Sequence, residues 1–291
     1  MLPESVKEYV QSHRDEHLAR LMELIRFPSV ANTNPDECVA CAEWLADHLR
    51  GLGLSARLAE SQGPPNVIAS AHVDDDAPTL LVYGHYDVQP PDPLEEWRTG
   101  PFEPVVRDGY LLGRGSSDDK GPLIAHLAAI EAWQRAGGGL PLNVNVIIEG
   151  EEEIGSPHTE AFLAEHAAEL AADAAVISDS EFFADGVPSI TYALRGLAYV
   201  EVKLRGPRAD VHSGLHGGAV TNPINALAGL LAAMHDDDGR VAIDGFYDDV
   251  LPLSDEERRD WQALPADEDA YAGSLGVEAL GGGERGYSAL E

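Results

Sequence analysis

A short run of apolar residues that ends in two polar side chains places the strongest constraint on the fold of this chain. Residues 80–83 are Leu-Leu-Val-Tyr, which is typical of a strand buried on both faces of a sheet. Gly84 follows, and His85 and Asp87 come directly after it. Because open α/β sheets bind ligands at the carboxyl ends of their strands, we expect a ligand site here. The stretch alone is also consistent with an ordinary polar turn after a core strand.

Helical and strand patterns alternate through the first two thirds of the chain. Strands are predicted at 66–71, 79–83, 109–113, 142–148 and 174–177, and helices at 4–26, 34–51, 121–136 and 157–170. This alternation favours an α/β sheet with helices on both faces. Near residue 190 the pattern changes to strands at 189–193 and 199–204 and a helix from Asn222 to about residue 235. We therefore predict one domain over residues 1–191 and a smaller α+β domain over 192–291.

The charge of the chain limits its partners. Asp and Glu number 51 against 19 Lys and Arg, which gives a net charge of −32. This balance argues against binding nucleic acid or anionic membranes and suits a protein that attracts cations. The start of the chain lacks a secretory signal pattern, and no apolar run is as long as a membrane span. We expect a cytoplasmic protein.

Cys38 and Cys41 form a C-x-x-C pair. Such a pair can be a redox or metal motif. A structural zinc site needs a second pair of ligands, and the sequence has none at a suitable spacing. The simpler interpretation, which we favour, is two small apolar residues on a helix.

Three further stretches supply candidate ligands. The loop 113–122 carries the adjacent Asp118 and Asp119 before a helix, without the spacing of a phosphate-binding loop. Residues 149–153 hold four carboxylates after a strand, and Asp179 ends another strand. Acidic helix capping and a solvated acidic turn are the ordinary alternatives. Taken together with His85, a mixed His/Asp/Glu set suits zinc, with manganese or cobalt as alternatives, and more than three carboxylates indicate two metals.

These motifs together resemble the M20 metallopeptidases, and most closely their carnosinase-like dipeptidase branch. The resemblance rests on His85-x-Asp87, Gly113-Arg-Gly with Asp118-Asp-Lys-Gly-Pro, Glu152-Glu153-Ile-Gly-Ser, Asp179, and Asp210-Val-His212-Ser-Gly. It implies a mixed zinc-peptidase sheet with an inserted lid domain, a homodimer formed through that lid, and hydrolysis of dipeptides or related amides with two divalent metal ions.

The resemblance also implies roles for individual residues. His85 and Asp179 would bind one metal, Glu153 the other, and Asp118 both. Glu152 would be the general base that takes a proton from the attacking water, and Asp87 would orient His85. His212 would hold the substrate or its oxyanion. His158 is a further candidate ligand, but its position at a predicted helix start favours a structural role.

One feature departs from the family pattern. The last metal ligand of the family is a histidine near the C-terminus, in a segment that returns to the catalytic sheet, whereas His216 and His235 are the only histidines after His212. We therefore expect a truncated family member. Two other functions stay open at this stage: a non-catalytic metal-binding fragment, and an N-acyl amino-acid deacylase acting through the same type of metal centre.

Overall fold

The computed structural model describes residues 2–180, 182–184, 186–191, 194, 196–265 and 267–280. The chain forms two compact units, Met1–Glu181 and Phe182–Glu291. The domain boundary that the sequence predicts, after residue 191, falls within the second of these units and stays a prediction.

The first unit contains a five-stranded mixed sheet, a short hairpin, five α-helices and two short 3-10 helices, Leu94–Glu96 and Glu152–Ile154, among its described residues. The strands of the sheet are β1 (Ser55–Ala59), β2 (Asn66–Ala71), β3 (Thr79–His85), β6 (Asn143–Glu149) and β7 (Ala174–Ile177), and the hairpin pairs β4 (Val105–Arg107) with β5 (Tyr110–Leu112). The helices are α1 (Glu4–Ser12), α2 (Arg14–Ile25), α3 (Pro35–Gly51), α4 (Lys120–Ala136) and α5 (Thr159–His166).

The order of strands in the sheet is β1-β2-β6-β3-β7. β3 runs parallel to both β6 and β7, whereas β2 is antiparallel to β1 and to β6. The carboxyl ends of β3, β6 and β7 therefore meet at one edge of the sheet, and this edge is where the candidate ligands lie.

Helices cover both faces of the sheet, as the alternating pattern predicted. On one face, Leu45 of α3 and Leu127 of α4 belong to a buried apolar cluster with Val146 of β6. On the other face, Phe162 of α5 packs in a separate cluster with Ile147, the next residue of β6. Alternation of side chains along β6 explains why its neighbouring residues serve different faces.

The structure corrects the sequence prediction in several places. The helix predicted over 4–26 is two helices interrupted at His13, whose ring stacks on Tyr9 and whose Nδ1 lies 2.8 Å from the Tyr9 carbonyl oxygen. β1 was not predicted, because its only buried residue is Ala59 and its polar residues hide the strand pattern. The helix predicted over 157–170 is shorter, since it begins at Thr159 and ends at His166.

The second unit contains four short helices among its described residues: α6 (Ser213–His216), α7 (Pro223–Ala232), α8 (Asp255–Gln262) and α9 (Glu268–Leu275). α7 begins as predicted, because the Asn222 side chain accepts a hydrogen bond from the Ile224 N–H. The strands predicted at 189–193 and 199–204 are wrong for the described residues, which are irregular there. A strand needs a hydrogen-bonded neighbour, and Tyr199 is instead 94% exposed. Residues 192 and 193 lie outside the described residues.

Candidate metal centre

His85 is the centre of the site. It is the last residue of β3, its side chain is fully buried, and it lies opposite Glu149 of β6. Tyr83 of β3 pairs with Ile177 of β7. Because the two strands are parallel, the residues two positions further on, His85 and Asp179, lie side by side. The parallel register of three strands therefore assembles residues that are far apart in the sequence.

Several carboxylates surround the Nε2 atom of this imidazole. The His85 Nε2 lies 2.9 Å from Asp118 Oδ1, 3.7 Å from Asp179 Oδ2 and 3.8 Å from Glu152 Oε2. The three carboxylates reach solvent, whereas the imidazole does not. A buried candidate nitrogen ligand thus faces candidate oxygen ligands, and these three carboxylates together with that of Glu153 are called the rim.

Asp87 has a wider role than the sequence predicted. His85 Nδ1 lies 3.1 Å from the Asp87 carbonyl oxygen and 3.4 Å from its carboxylate Oδ1. The carboxylate also accepts the backbone N–H groups of Glu152 and Glu153, at 3.1 and 3.0 Å. Asp87, which is fully buried, therefore connects the imidazole to the turn that carries both glutamates.

Gln89 holds the Glu153 carboxylate. Its backbone N–H donates to Glu153 Oε1 at 3.2 Å, and its side-chain Nε2 donates to Oε2 at 2.8 Å and to the Glu153 carbonyl oxygen at 3.0 Å. The sequence reasoning missed Gln89. The signal for it was its position two residues after Asp87 in the same segment.

The donor set fits divalent metal ions. Two groups have ligand atoms within 4.8 Å of one another, His85 with Glu152 and Asp179, and His85 with Asp118 and Glu153. Burial by itself lowers the pKa of His85, but the neighbouring carboxylates, above all that of Asp87, raise it to about 10. The same carboxylates provide the negative charge that a divalent cation requires.

The carboxylates of the rim also have perturbed pKa values. Burial is the largest cause that raises the pKa of Glu152, and Asp179 adds to the rise while His85 opposes it. Burial likewise raises the pKa of Glu153 and of Asp179. A raised pKa brings a carboxylate closer to the range in which it can accept a proton at neutral pH.

Asp119 was noted in the sequence only as the neighbour of Asp118. Its side chain is buried, and its Oδ2 accepts the backbone N–H of His85 at 3.1 Å. Burial, the largest cause, raises the pKa of Asp119 to about 7. Gly84 makes room for this carboxylate, because a Cβ on residue 84 would lie 2.8 Å from Asp119 Oδ2. A glycine directly before a candidate ligand was the signal that could have revealed this contact.

Two carboxylates of the acidic stretch 149–153 point away from the rim. Glu149 accepts hydrogen bonds from the hydroxyls of Tyr83 and Thr159. Glu151 lies 2.9 Å from His158 Nδ1, so His158 has a structural partner, in line with the role that its position favoured. The stretch thus divides into buried structural carboxylates and the solvent-facing Glu152 and Glu153.

The remaining predicted residues belong to other elements of the chain. His212 belongs to the second unit, is exposed, and accepts the Gly214 N–H on its Nδ1 at the start of α6. Cys38 and Cys41 are free thiols buried on α3, as the simpler interpretation of the pair predicted. No helix among the described residues is long and apolar enough to cross a membrane.

The fold and this set of ligands define a class of protein. Residues 81–234, more than half of the chain, match the model of peptidase family M20/M25/M40, and the chain belongs to this family. It is 35% identical over 267 residues to the Cys-Gly metallodipeptidase DUG1 of Candida albicans, covering 85% of this chain and 55% of that protein. It is 34% identical over 295 residues to the Beta-Ala-His dipeptidase of Homo sapiens, covering 95% of this chain and 58% of that protein.

A solved structure supports the fold. The M20 family metallo-carboxypeptidase Sso-CP2 from Sulfolobus solfataricus matches with a TM-score of 0.76 and 34% identity, over 92% of this chain and 61% of that chain. The mixed sheet with helices on both faces is therefore the fold of this family. The chain spans 55% and 58% of the lengths of the two dipeptidases that it matches.

Proposed function

We propose that this protein is a metal-dependent hydrolase that cleaves dipeptides or related amide bonds. One observation carries the proposal: the buried His85 Nε2 and the solvent-facing carboxylates of Asp118, Glu152, Glu153 and Asp179 converge at one edge of the sheet. The relatives named as Cys-Gly and Beta-Ala-His dipeptidases support a small peptide as the substrate.

Two divalent ions fit the number of carboxylates, with zinc as the first candidate and manganese or cobalt as alternatives. Such ions, when bound, polarise a scissile carbonyl and lower the pKa of water. His85 and Asp179 are proposed to hold one ion, Glu153 the other, and Asp118 both.

The remaining residues are proposed to act on the proton and the substrate. Glu152 takes the proton from the attacking water and later returns it to the leaving amine. The raised pKa of Glu152 supports this assignment. Asp87 orients His85 through its contacts with Nδ1. His212, from the second unit, holds the substrate or its oxyanion.

The other functions that the sequence left open receive less support. An N-acyl amino-acid deacylase and a non-catalytic metal-binding protein are not favoured, because the matched relatives are named as peptidases. A homodimer formed through the second unit and a cytoplasmic location stay predictions from the sequence.

The proposal is tested by metal stoichiometry and hydrolysis on one zinc-loaded sample, with β-Ala-His, Cys-Gly and an N-acetyl amino acid as substrates. We expect two metals per chain and cleavage of at least one dipeptide. Glu152→Gln should lower the rate by about 10²- to 10⁴-fold with both metals retained, because only the proton acceptor is removed. Glu160→Gln, an exposed change on α5, is the matched control.

The outcomes separate the roles. Loss of a metal in Glu152→Gln would make Glu152 a ligand instead of the base. Preferential cleavage of the N-acetyl amino acid would favour the deacylase, and two bound metals without any turnover would refute the hydrolase. A chain that binds no metal would refute the metal centre itself.

A further inference from the structure

We propose that Asp119 is a positioning residue for the metal centre, which fixes the backbone of His85 relative to Asp118 so that their ligand atoms meet. This inference rests on the metal centre proposed above. It concerns a buried residue that is not among the proposed ligands.

The ordinary explanation for an aspartate at this position does not hold. Asp119 occupies the N-cap position of α4, where an aspartate commonly accepts a backbone N–H of the first helical turn. Its side chain makes no such bond. One of the two usual donors is missing, because Pro122, the third residue of the helix, has no N–H. The carboxylate is therefore not needed to cap the helix.

The carboxylate instead crosses to β3. Its Oδ2 accepts the His85 N–H at 3.1 Å, and the side chain is 1% exposed. Its Oδ1 is buried and has no hydrogen-bond partner in the described part of the chain. The absence of a side chain at Gly84 allows this contact, because a Cβ there would lie 2.8 Å from Asp119 Oδ2. Burial of a half-satisfied carboxylate is costly, so folding alone does not explain a carboxylate at this position.

The geometry identifies that role. Asp118 and Asp119 are consecutive, so an anchor on Asp119 also limits where Asp118 can lie. Asp118 Oδ1 is 2.9 Å from His85 Nε2, and the bond from the His85 backbone N–H to the Asp119 side chain links His85 to the segment that carries Asp118. The next residue, Lys120, is buried and donates to the carbonyl oxygens of Leu24 and Phe27 at 3.1 and 2.8 Å. Lys120 thus holds the same segment from its other side.

The experiment measures the affinity for Zn²⁺ by chelator competition and the visible absorption spectrum with Co²⁺, for the wild-type chain and three variants. Asp119→Ala removes the anchor, and Asp119→Asn keeps an acceptor oxygen for the His85 N–H. Asp173→Ala is the matched control, because Asp173 Oδ2 accepts the N–H of Thr79 at 2.7 Å, at the opposite end of the same strand. Circular dichroism confirms that each variant is folded.

We expect Asp119→Ala to weaken Zn²⁺ binding by about 10- to 100-fold and to alter the Co²⁺ spectrum, as loss of a residue that orients metal ligands typically does. Asp119→Asn should recover most of the affinity, and Asp173→Ala should bind like the wild type. Wild-type affinity and spectrum in Asp119→Ala would overturn the inference while leaving the metal centre in place. A wild-type chain that binds no metal would overturn both.

A second variant keeps the inference testable if Asp119→Ala fails to fold. Gly84→Ala adds a methyl group against Asp119 Oδ2 and should displace the carboxylate without removing it. We expect this variant to weaken Zn²⁺ binding and to alter the Co²⁺ spectrum in the same way. Unchanged binding in a folded Gly84→Ala variant would count against the positioning role.

Discussion

Asp87 offers the sharpest test of how the site is held together, because both of its carboxylate oxygens are used. One oxygen accepts the Glu152 N–H at 3.1 Å and the other accepts the Glu153 N–H at 3.0 Å. An asparagine at this position has only one acceptor oxygen, so its NH₂ group must face one of these two N–H donors. Asp87→Asn should therefore destabilise the first unit, although it is the most conservative change available.

The magnitude follows from the bonds that are lost. A hydrogen bond to a charged group contributes about 1.5–3 kcal/mol. Asp87→Asn loses one such bond and weakens the other, and we expect a loss of about 2–3 kcal/mol in the free energy of unfolding. Asp87→Ala loses both bonds and leaves the donors without a partner, for which we expect about 3–5 kcal/mol.

The assay is guanidinium unfolding in the presence of a chelator, so that metal binding does not contribute. Tryptophan fluorescence reports mainly on the first unit, because it contains Trp44, Trp97 and Trp133. Asp76→Asn, an exposed change in the same unit, is the control and should stay within about 0.5 kcal/mol of the wild type. An Asp87→Asn variant as stable as this control would refute the reasoning.

Two further predictions concern hydrogen-bonded pairs of residues in the first unit, Arg20 with Glu131 and Gln89 with Glu153. Burial opposes ionisation of Glu131, but its hydrogen bonds with Arg20 prevail and lower its pKa below the ordinary value of 4.5. At pH values above 4.5, Glu131→Gln should therefore lower the free energy of unfolding by about 2 kcal/mol. That difference should shrink as the pH falls below 4.5, because Glu131 takes up a proton in the unfolded chain first and in the folded chain only at its lower pKa. A pH-independent difference in chemical denaturation would contradict this. Gln89→Ala removes two bonds to Glu153 and should weaken binding of one of two Zn²⁺ ions by about 10-fold in chelator competition. Affinities for both ions equal to those of the wild type would show that Gln89 does not hold the Glu153 carboxylate in place.

The strands and the polar residues at their ends could be predicted from local patterns. The apolar run at 80–83 and the alternation at 142–148 are patterns formed by residues that are neighbours in the sequence. Such patterns predict strands buried on both faces or on one face. The break at His13 and the strand β1 could not be predicted in this way, because Ser55–Ala59 becomes a strand by pairing with β2. The irregular conformation of 199–204 likewise depends on whether a partner strand is present.

The sequence by itself determined which residue types could bind metal and that they follow strands of one α/β sheet. Residue patterns alone did not determine which of the four glutamates at 149–153 would face the rim. Glu149 and Glu151 lie in the same acidic stretch as Glu152 and Glu153, yet the first two are buried against Tyr83 and His158. Only the tertiary structure decided this, because the parallel register of β3, β6 and β7 and the crossing of Asp119 to His85 bring together residues distant in the chain. Contacts of this kind depend on packing across the sheet, which no local pattern records.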